Sequence, residues 1–457
     1  MHVRSLSPAS SPLAWPRQAT PLPTPSRTGA SLKRLAVVAA VAAACSPAAA
    51  VDIGPFFTLT GFAKAEMVRG SNICEDCQKE PNENRQREWA DPLVYGKAYG
   101  SDTSTTVLFQ PYLGMQVDLP NGFKAVGLLS QRWRDGKVDI EGAIYERNIG
   151  VRHEEYGTLS IGAMTSRSWA VADFPYASDF GISDAWASSG AGYALLGHAV
   201  RYTSRIMDVM DGDLVLEATY DTGPSGWDRN DPWMLEFWGK YTRGGLMIDA
   251  SVQVSRNGQP VSWGHAPFFG LTTNPADDDL LGGSSQGIFQ LMARYYFTPQ
   301  IEATAGVRFN RWSGAYAVPT TFGRGGLWNN MFNVDWGGTD ANGVPNPGYP
   351  ARTTDFMAGV RYLHGKWAFN TGMVYLGKAS TDNPSERGQS NSVLINTVGV
   401  DYNFGHGIRF YGLAGMVHYD RKGLAPLSMP SHNAFTNVDP RVATRGNWFG
   451  VGAVFTF

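Results

Sequence analysis

Four groupings of side chains have the composition of a reactive or binding site. Cys74-Glu-Asp-Cys77 is a C-x-x-C pair, suited to a disulfide, a redox couple or half a zinc site. No second C-x-x-C or histidine pair accompanies it, so a local Cys74–Cys77 disulfide is the expected state in an exported chain. Gly283-Ser-Ser-Gln-Gly287 spells the nucleophile elbow G-x-S-x-G, but that motif needs a strand-to-helix turn, and here it leads from a glycine-rich loop into a strand. Asp277-Asp278-Asp279 offers oxygens to a divalent cation, and reads rather as a solvated loop tip or an ion site bridging to lipopolysaccharide. The eight histidines are scattered, with no H-E-x-x-H, and His153 beside Glu154-Glu155 reads as a rim residue. These patterns define no catalytic set, metal centre or cofactor site. The fourth grouping is electrostatic: arginines and lysines at alternating positions, and Asp173, Asp179 and Asp184 within one stretch of aromatic and small residues. Opposed fixed charges of this kind make and break no bonds. They hold a field across a gap and act on whatever passes through it.

The elements that must position them are strands. From Phe56 onward the chain falls into segments of ten or more residues with period 2, bounded by Gly, Asn, Asp or Pro. In the first, Phe57, Leu59, Ala63, Ala65 and Met67 alternate with Thr58, Thr60, Lys64 and Glu66, so one face is apolar and the other polar. Sixteen such segments can be read, among them 56–68, 104–119, 122–135, 197–206, 212–222 and 445–457. Tight turns such as Pro120-Asn121-Gly122, His364-Gly365-Lys366 and Gly405-His406-Gly407, with a longer one over 207–212, alternate with eight longer loops. An even strand number with short turns at one end and long loops at the other is the pattern of a transmembrane β-barrel. The fold class expected is all-β: an antiparallel barrel of 16 strands. Pro111 inside the second strand is a local exception, read as a bulge or a non-donating position.

Parity then assigns the charges. Lys64, Arg132, Arg134, Arg152, Arg201, Arg205, Arg294, Arg308 and Arg361 fall with the polar set, as do Glu66, Asp118, Glu146, Glu217, Glu236, Asp249, Glu302 and Asp355. An arginine on the lipid face at midplane costs about 2–4 kcal/mol, so all are placed in the lumen. Nine cations against eight acids leave the sign of any ion preference open.

The longest apolar run, Leu35–Ala44, is far short of the roughly 20 residues of a spanning helix. It follows Lys33-Arg34 and precedes Ala48-Ala49-Ala50, the layout of a secretory signal peptide cleaved after Ala50. A rival reading takes Ala42-Ala43-Ala44-Cys45 as a lipoprotein processing site. Residues 1–50 are therefore expected to be removed, leaving 51–457 as one barrel domain. Removal of five basic residues leaves 33 basic against 40 acidic, a net charge of −7, which argues against nucleic acid as a partner.

Two stretches carry a family resemblance. EYGTLSIGAMTSRSW (155–169), a loop of about thirty residues, and GHAVRYTSR…DGDLVLEATYD (197–221) resemble strand five, the third loop and strands six and seven of the Gram-negative general porins. The ending, with Gly452, Phe455 and Phe457, resembles the sorting signal of bacterial outer-membrane proteins. The resemblance implies a trimeric, sixteen-stranded outer-membrane channel for passive diffusion of ions and small hydrophilic solutes, without catalysis or cofactor. Implied partners are lipopolysaccharide, periplasmic chaperones and the barrel-assembly machinery. It also implies a third loop folded inward, its acids facing basic wall residues; Asp173, Asp179 and Asp184 are the loop candidates, with Arg132, Arg134, Arg152 and Arg201 as the wall. The Pro-Glu-Phe-Gly-Gly stretch of enterobacterial members is missing here. A substrate-specific channel, an adhesion scaffold with long external loops, and an outer-membrane hydrolase are the alternatives.

Overall fold

The computed structural model describes residues 50–70, 103–138, 146–187, 192, 195–223, 233–256, 258–259, 272–273, 285–313, 316–318, 326–328, 350–381, 392–420 and 445–457. The signal segment, Cys74, Cys77 and Asp277–Asp279 lie outside these residues.

Sixteen long strands form one sheet. They are β1 (Phe57–Gly70), β2 (Thr103–Asp118), β3 (Lys124–Ser130), β4 (Glu146–His153), β5 (Gly157–Thr165), β6 (Leu195–Thr203), β7 (Gly212–Asp221) and β8 (Trp233–Arg243). The second half comprises β9 (Leu246–Arg256), β10 (Ser285–Tyr296), β11 (Ile301–Ser313), β12 (Ala351–His364), β13 (Trp367–Leu376), β14 (Val393–Gly405), β15 (Ile408–Tyr419) and β16 (Arg445–Thr456). Each pairs antiparallel with the next, and β16 returns to pair with β1, Phe62 opposite Thr456 and Gly70 opposite Trp448. Closure removes every free edge. The last residue takes part: Phe457 exchanges both backbone hydrogen bonds with Gly61, at 2.9 and 3.0 Å. A Cβ on Gly61 would stand 2.8 Å from the Phe457 ring, so glycine makes room for that ring.

The alternation seen in the sequence becomes inside and outside. On β16, Phe449 and Phe455 are exposed outward and Trp448 is buried inward; on β1, Met67 is exposed while Glu66 and Val68 are buried. An exterior of Val, Ile, Leu and Phe around a closed ladder is stable only against hydrocarbon, where the strands satisfy every backbone group among themselves.

Three local readings change. The third strand, read as 122–135, is interrupted at Gln131–Arg132 and resumes in the same register, Trp133 opposite Phe109 and Arg134 opposite Leu108, before turning back on 137–138 through Asp135 and Gly136, both at positive φ. The Asp135 carboxylate fixes that turn by accepting from Val107 N–H at 2.8 Å. The turn over 207–212 is itself paired, Met207 opposite Leu214, with Met210 and Asp211 at positive φ. Arg205 lies beyond the end of β6 and is exposed in this connection, so it is no lumenal wall residue. Pro111 needs no bulge. Gly61 opposite it bonds instead to Phe457, and on the other side the ladder breaks at Gln131–Arg132, opposite Pro111 and Gln110, and resumes at Trp133 in unchanged register, so the proline stands at a non-donating position.

The main apolar core is inside the barrel. Trp169, Tyr176, Phe180, Ile182 and Trp186 from the segment after β5 cluster with inward Met292, Met357, Val374 and Ile395 of the wall.

Candidate functional site

The segment joining β5 to β6 begins at Ser166 and opens with a short helix, α1 (Arg167–Val171), and its described part closes with a second, α2 (Ser183–Ala187). A wall carboxylate anchors its start: Glu236 on β8 accepts from the backbone N–H of Arg167 at 2.8 Å and of Ser168 at 2.9 Å, where free N–H groups and the helix dipole favour an anion. The Arg167 guanidinium turns to Glu217 on β7 at 2.7 Å, which Arg201 on β6 also holds at 3.0 Å. Farther along, Tyr176 O–H donates to Asp249 on β9, Arg294 on β10 donates to the Pro175 carbonyl at 2.7 Å, and Arg308 on β11 donates to the Trp186 carbonyl at 2.7 Å. Arg308 also lies 4.4 Å over the Trp186 ring and pairs with Asp355 on β12 at 3.0 Å.

At the centre of the segment is Asp179. Three guanidiniums from three strands converge on its carboxylate: Arg294 at 3.2 Å, Arg361 of β12 at 3.4 Å and Arg409 of β15 at 3.1 Å. Glu302 on β11 shares two of them, meeting Arg294 at 2.7 Å and Arg361 at 3.1 Å. Burial alone would raise the Asp179 carboxyl, but Arg361, Arg294 and Arg409 together hold it well below the usual carboxylate range. Next to it Thr397 of β14 donates to the Phe180 carbonyl at 3.0 Å.

The close approach of Phe180 to the wall needs missing side chains. Gly359 on β12 and Gly372 on β13 stand directly opposite one another with their Cα–H facing inward. A Cβ on Gly359 would lie 2.7 Å from the Phe180 ring, and one on Gly372 2.6 Å from the Phe180 carbonyl oxygen. On β11, Gly306 does the same for Trp186, at 3.1 Å.

The arginines expected on the wall have other neighbours. Arg201 is buried between Glu217 and, at 3.9 Å, Glu236. Arg132 donates to Gln110 at 2.7 Å and Arg152 to Thr158 at 3.2 Å. Asp179 therefore faces Arg294, Arg361 and Arg409 rather than Arg132, Arg152 and Arg201, a correction to the expected pairing. The cause is topological: the segment lies down against strands of the second half of the barrel, not those flanking it in sequence. Asp173 accepts from Ser183 O–H within the segment. Arg134 and Asp184 have described backbones but not side chains. Sequence parity had omitted Arg409 and Arg167; Arg409 shares the inward parity of Tyr411, which was the available signal.

Around the rest of the lumen, Lys64 pairs with Glu66 at 2.9 Å, and Glu66 also accepts from Tyr411 O–H. Lys124 on β3 stands opposite Arg152 on β4 in register. Exposure varies within each sign: Arg132, Arg167, Arg201, Arg294 and Arg308 are buried, and Asp118 beside Lys124 is exposed. Lys64, Lys124, Arg152, Lys240 and Arg409 keep partial exposure. Glu66, Glu217, Glu236, Asp249, Glu302 and Asp355 are all buried.

A closed barrel of sixteen strands with a polar interior and a segment packed on its inner wall is the architecture of the Gram-negative porins, and the chain has that fold. An anion-selective porin from Comamonas acidovorans superposes with a TM-score of 0.56 at 11% identity, over 88% of this chain and 99% of that one. OmpT, an outer membrane protein of Vibrio cholerae, superposes at 0.53 and 13% identity over 89% of this chain and 100% of its own, and its trimer form at 0.53 and 15% over 88% and 100%. No protein-family model matches the sequence, and no curated protein does.

Proposed function

We propose that the mature chain is an outer-membrane porin, a non-catalytic, water-filled channel for passive diffusion of ions and small hydrophilic solutes. In this reading the signal peptide ends at Ala50, assembly through periplasmic chaperones and the barrel machinery uses Gly452, Phe455 and Phe457, and the working unit is a homotrimer. The observation that carries the reading is the combination of a sixteen-stranded barrel, too wide for wall side chains to fill, with the 166–187 segment packed on the β7–β15 wall. A segment held to one wall narrows such a lumen without plugging it. Asp179 acts here as the clamp that positions the constriction.

The reading extends to ion preference. Water in the lumen meets partly exposed Lys124, Arg152 and Lys240, with exposed Asp118 4.0 Å from Lys124, whereas Glu66, Glu217, Glu302 and Asp355 are buried against Lys64, Arg201, Arg294 and Arg308. A ring of accessible cations favours anions. Reconstitution of the purified protein in planar bilayers tests both parts. Ohmic single-channel steps, with a reversal potential of anionic sign in a KCl gradient, are expected. Absence of any conductance from correctly folded protein would overturn the channel; a cationic sign would overturn the preference.

A further inference from the structure

Under the 166–187 segment, three buried oxygens of the wall have no hydrogen-bond partner among the described residues: Asp249 Oδ1 and Ser251 Oγ on β9, and Gln290 Oε1 on β10. Their residues are 1%, 2% and 0% exposed. Buried polar atoms are ordinarily satisfied, so three left over together call for a ligand. The ladder brings them together. Ser251 stands directly opposite Gln290, where Cβ atoms are about 4.5–5.5 Å apart, and Asp249 is the next inward residue of β9.

The atoms beside them are already engaged, which fixes the oxygens that remain. Tyr176 O–H donates to the other Asp249 oxygen. Gln290 Nε2 donates to the Ser168 carbonyl at 3.0 Å, so the amide oxygen is its free end. Gln253, the following inward residue of β9, donates to Ser168 Oγ at 3.2 Å. Ser168 and Tyr176, the two ends of one stretch of the segment, are therefore fixed to the strands that carry the free oxygens. Charge narrows the choice of ligand. Lys240 is the register neighbour of Asp249 on β8 but makes no ion pair with it. The Arg167 guanidinium, 5.2 Å over the Trp238 ring, is taken by Glu217 at 2.7 and 2.9 Å. Among the described residues the Asp249 carboxylate makes no ion pair, and a buried charge is unfavourable until something neutralises it. Water would satisfy the oxygens and leave the charge; a proton would remove the charge and leave Ser251 and Gln290. A hard cation does both.

We propose that Asp249 Oδ1, Ser251 Oγ and Gln290 Oε1 are ligands of a Ca²⁺ ion that locks residues 168–176 onto the β9–β10 wall. Carboxylate, hydroxyl and amide oxygens are the donors Ca²⁺ takes, and the set holds no sulfur or imidazole for a transition metal. Mg²⁺ demands a near-ideal octahedron and sheds its water reluctantly, which suits three side chains on two strands poorly. One carboxylate among the ligands puts the affinity at roughly 10⁻⁴–10⁻³ M. The site depends on the packing of the segment and not on whether the barrel conducts.

The test uses full-length mature protein in detergent micelles, stripped of metal with EDTA, and Tb³⁺ as the probe, which shares the size and oxygen preference of Ca²⁺ and emits when an indole close to it is excited. Trp238 of β8 stands directly opposite Ser251 and serves as that indole. Wild type should show saturable sensitised emission that Ca²⁺ displaces at a concentration at least tenfold lower than Mg²⁺. Asp249→Asn should weaken Tb³⁺ binding at least tenfold, and Ser251→Ala severalfold. Tyr176→Phe removes the hydrogen bond to Asp249 but keeps the carboxylate, so it should retain binding and separates a lost ligand from a loosened segment. Trp238→Phe should abolish most of the emission while calorimetric Ca²⁺ affinity stays unchanged. Folding of each variant is followed by its heat-modifiable mobility on gels. Absence of saturable emission and of Ca²⁺ heat in wild type overturns the site, as does wild-type affinity in folded Asp249→Asn. Should Asp249→Asn not fold, unchanged affinity in Ser251→Ala overturns it instead. Full emission from Trp238→Phe would put the metal elsewhere, and equal displacement by Mg²⁺ would refute a Ca²⁺ site; either result defeats the proposal.

Discussion

Replacing Asp179 by Asn removes one negative charge while keeping the shape of the side chain. Three guanidiniums at 3.1–3.4 Å lose their shared counter-charge. Breaking a buried ion pair by removing one partner is destabilising by about 3–5 kcal/mol, but the loss is unevenly distributed. Arg294 and Arg361 keep Glu302 at 2.7 and 3.1 Å, whereas Arg409, the most exposed of the three at 27%, loses its direct partner. The segment stays tied at both ends through Glu236 and Arg308, so the barrel should still assemble. Only the middle should loosen, with Arg409 turning into the lumen. Single-channel recording should then show a higher and noisier conductance and a reversal potential moved further toward anions. The shift should be clear at 0.1 M KCl, where the screening length is about 10 Å, and nearly gone at 1 M, where it is about 3 Å. Acid should approach the same state in wild type. Because the folded carboxyl is depressed, its contribution is complete above the ordinary carboxylate range and is lost only as pH falls through the depressed value, so wild-type conductance should stay flat from pH 7 to about 4. An inserted variant with wild-type conductance and reversal potential at 0.1 M would refute the clamp.

Three further outcomes are expected. Lys64→Gln/Lys124→Gln/Arg152→Gln should move the reversal potential toward cations at 0.1 M KCl, and no movement would mean that ions avoid that wall. Gly359→Leu should raise conductance without altering any charge, because its side chain would occupy the place of the Phe180 ring, 2.7 Å from a Cβ; unchanged conductance of a correctly folded barrel would argue against the packed segment. Phe457→Asp should reduce outer-membrane yield severalfold, since it replaces a ring stacked on Phe455 at 5.7 Å and on Phe109 at 6.2 Å at the closing seam by a charge; equal yields in fractionated membranes would refute this.

The strands were legible because each has one face in lipid and one in water, which writes period 2 into the sequence. Where that contrast ends, reading failed. Gln131 and Arg132 continue the third strand, yet the ladder breaks there, opposite Pro111 and Gln110, and resumes in the same register at Trp133 and Arg134. The packing of the 166–187 segment was half legible. A long segment after β5 bearing aspartates and aromatics could be seen, but not that Asp179 would meet Arg294, Arg361 and Arg409, which lie 115 to 230 positions away. Parity says that a side chain points inward and nothing about which strands stand across from it. Gly306, Gly359 and Gly372 were equally silent, since a glycine that admits a ring reads the same as a glycine in any strand.

The partners of Asp179 arrive late in the chain. At a ribosome or a membrane insertion site, a polypeptide ending after β9 would carry this carboxylate with none of its three arginines yet made, and the third, Arg409, belongs to the penultimate strand. The inner segment and the seam between β16 and β1 are therefore completed almost together. Arg294, Arg308, Arg361, Thr397 and Arg409 of the later strands each meet a carbonyl or carboxylate of this segment. On the porin reading, the element that narrows the passage is thus held in place by strands made after it.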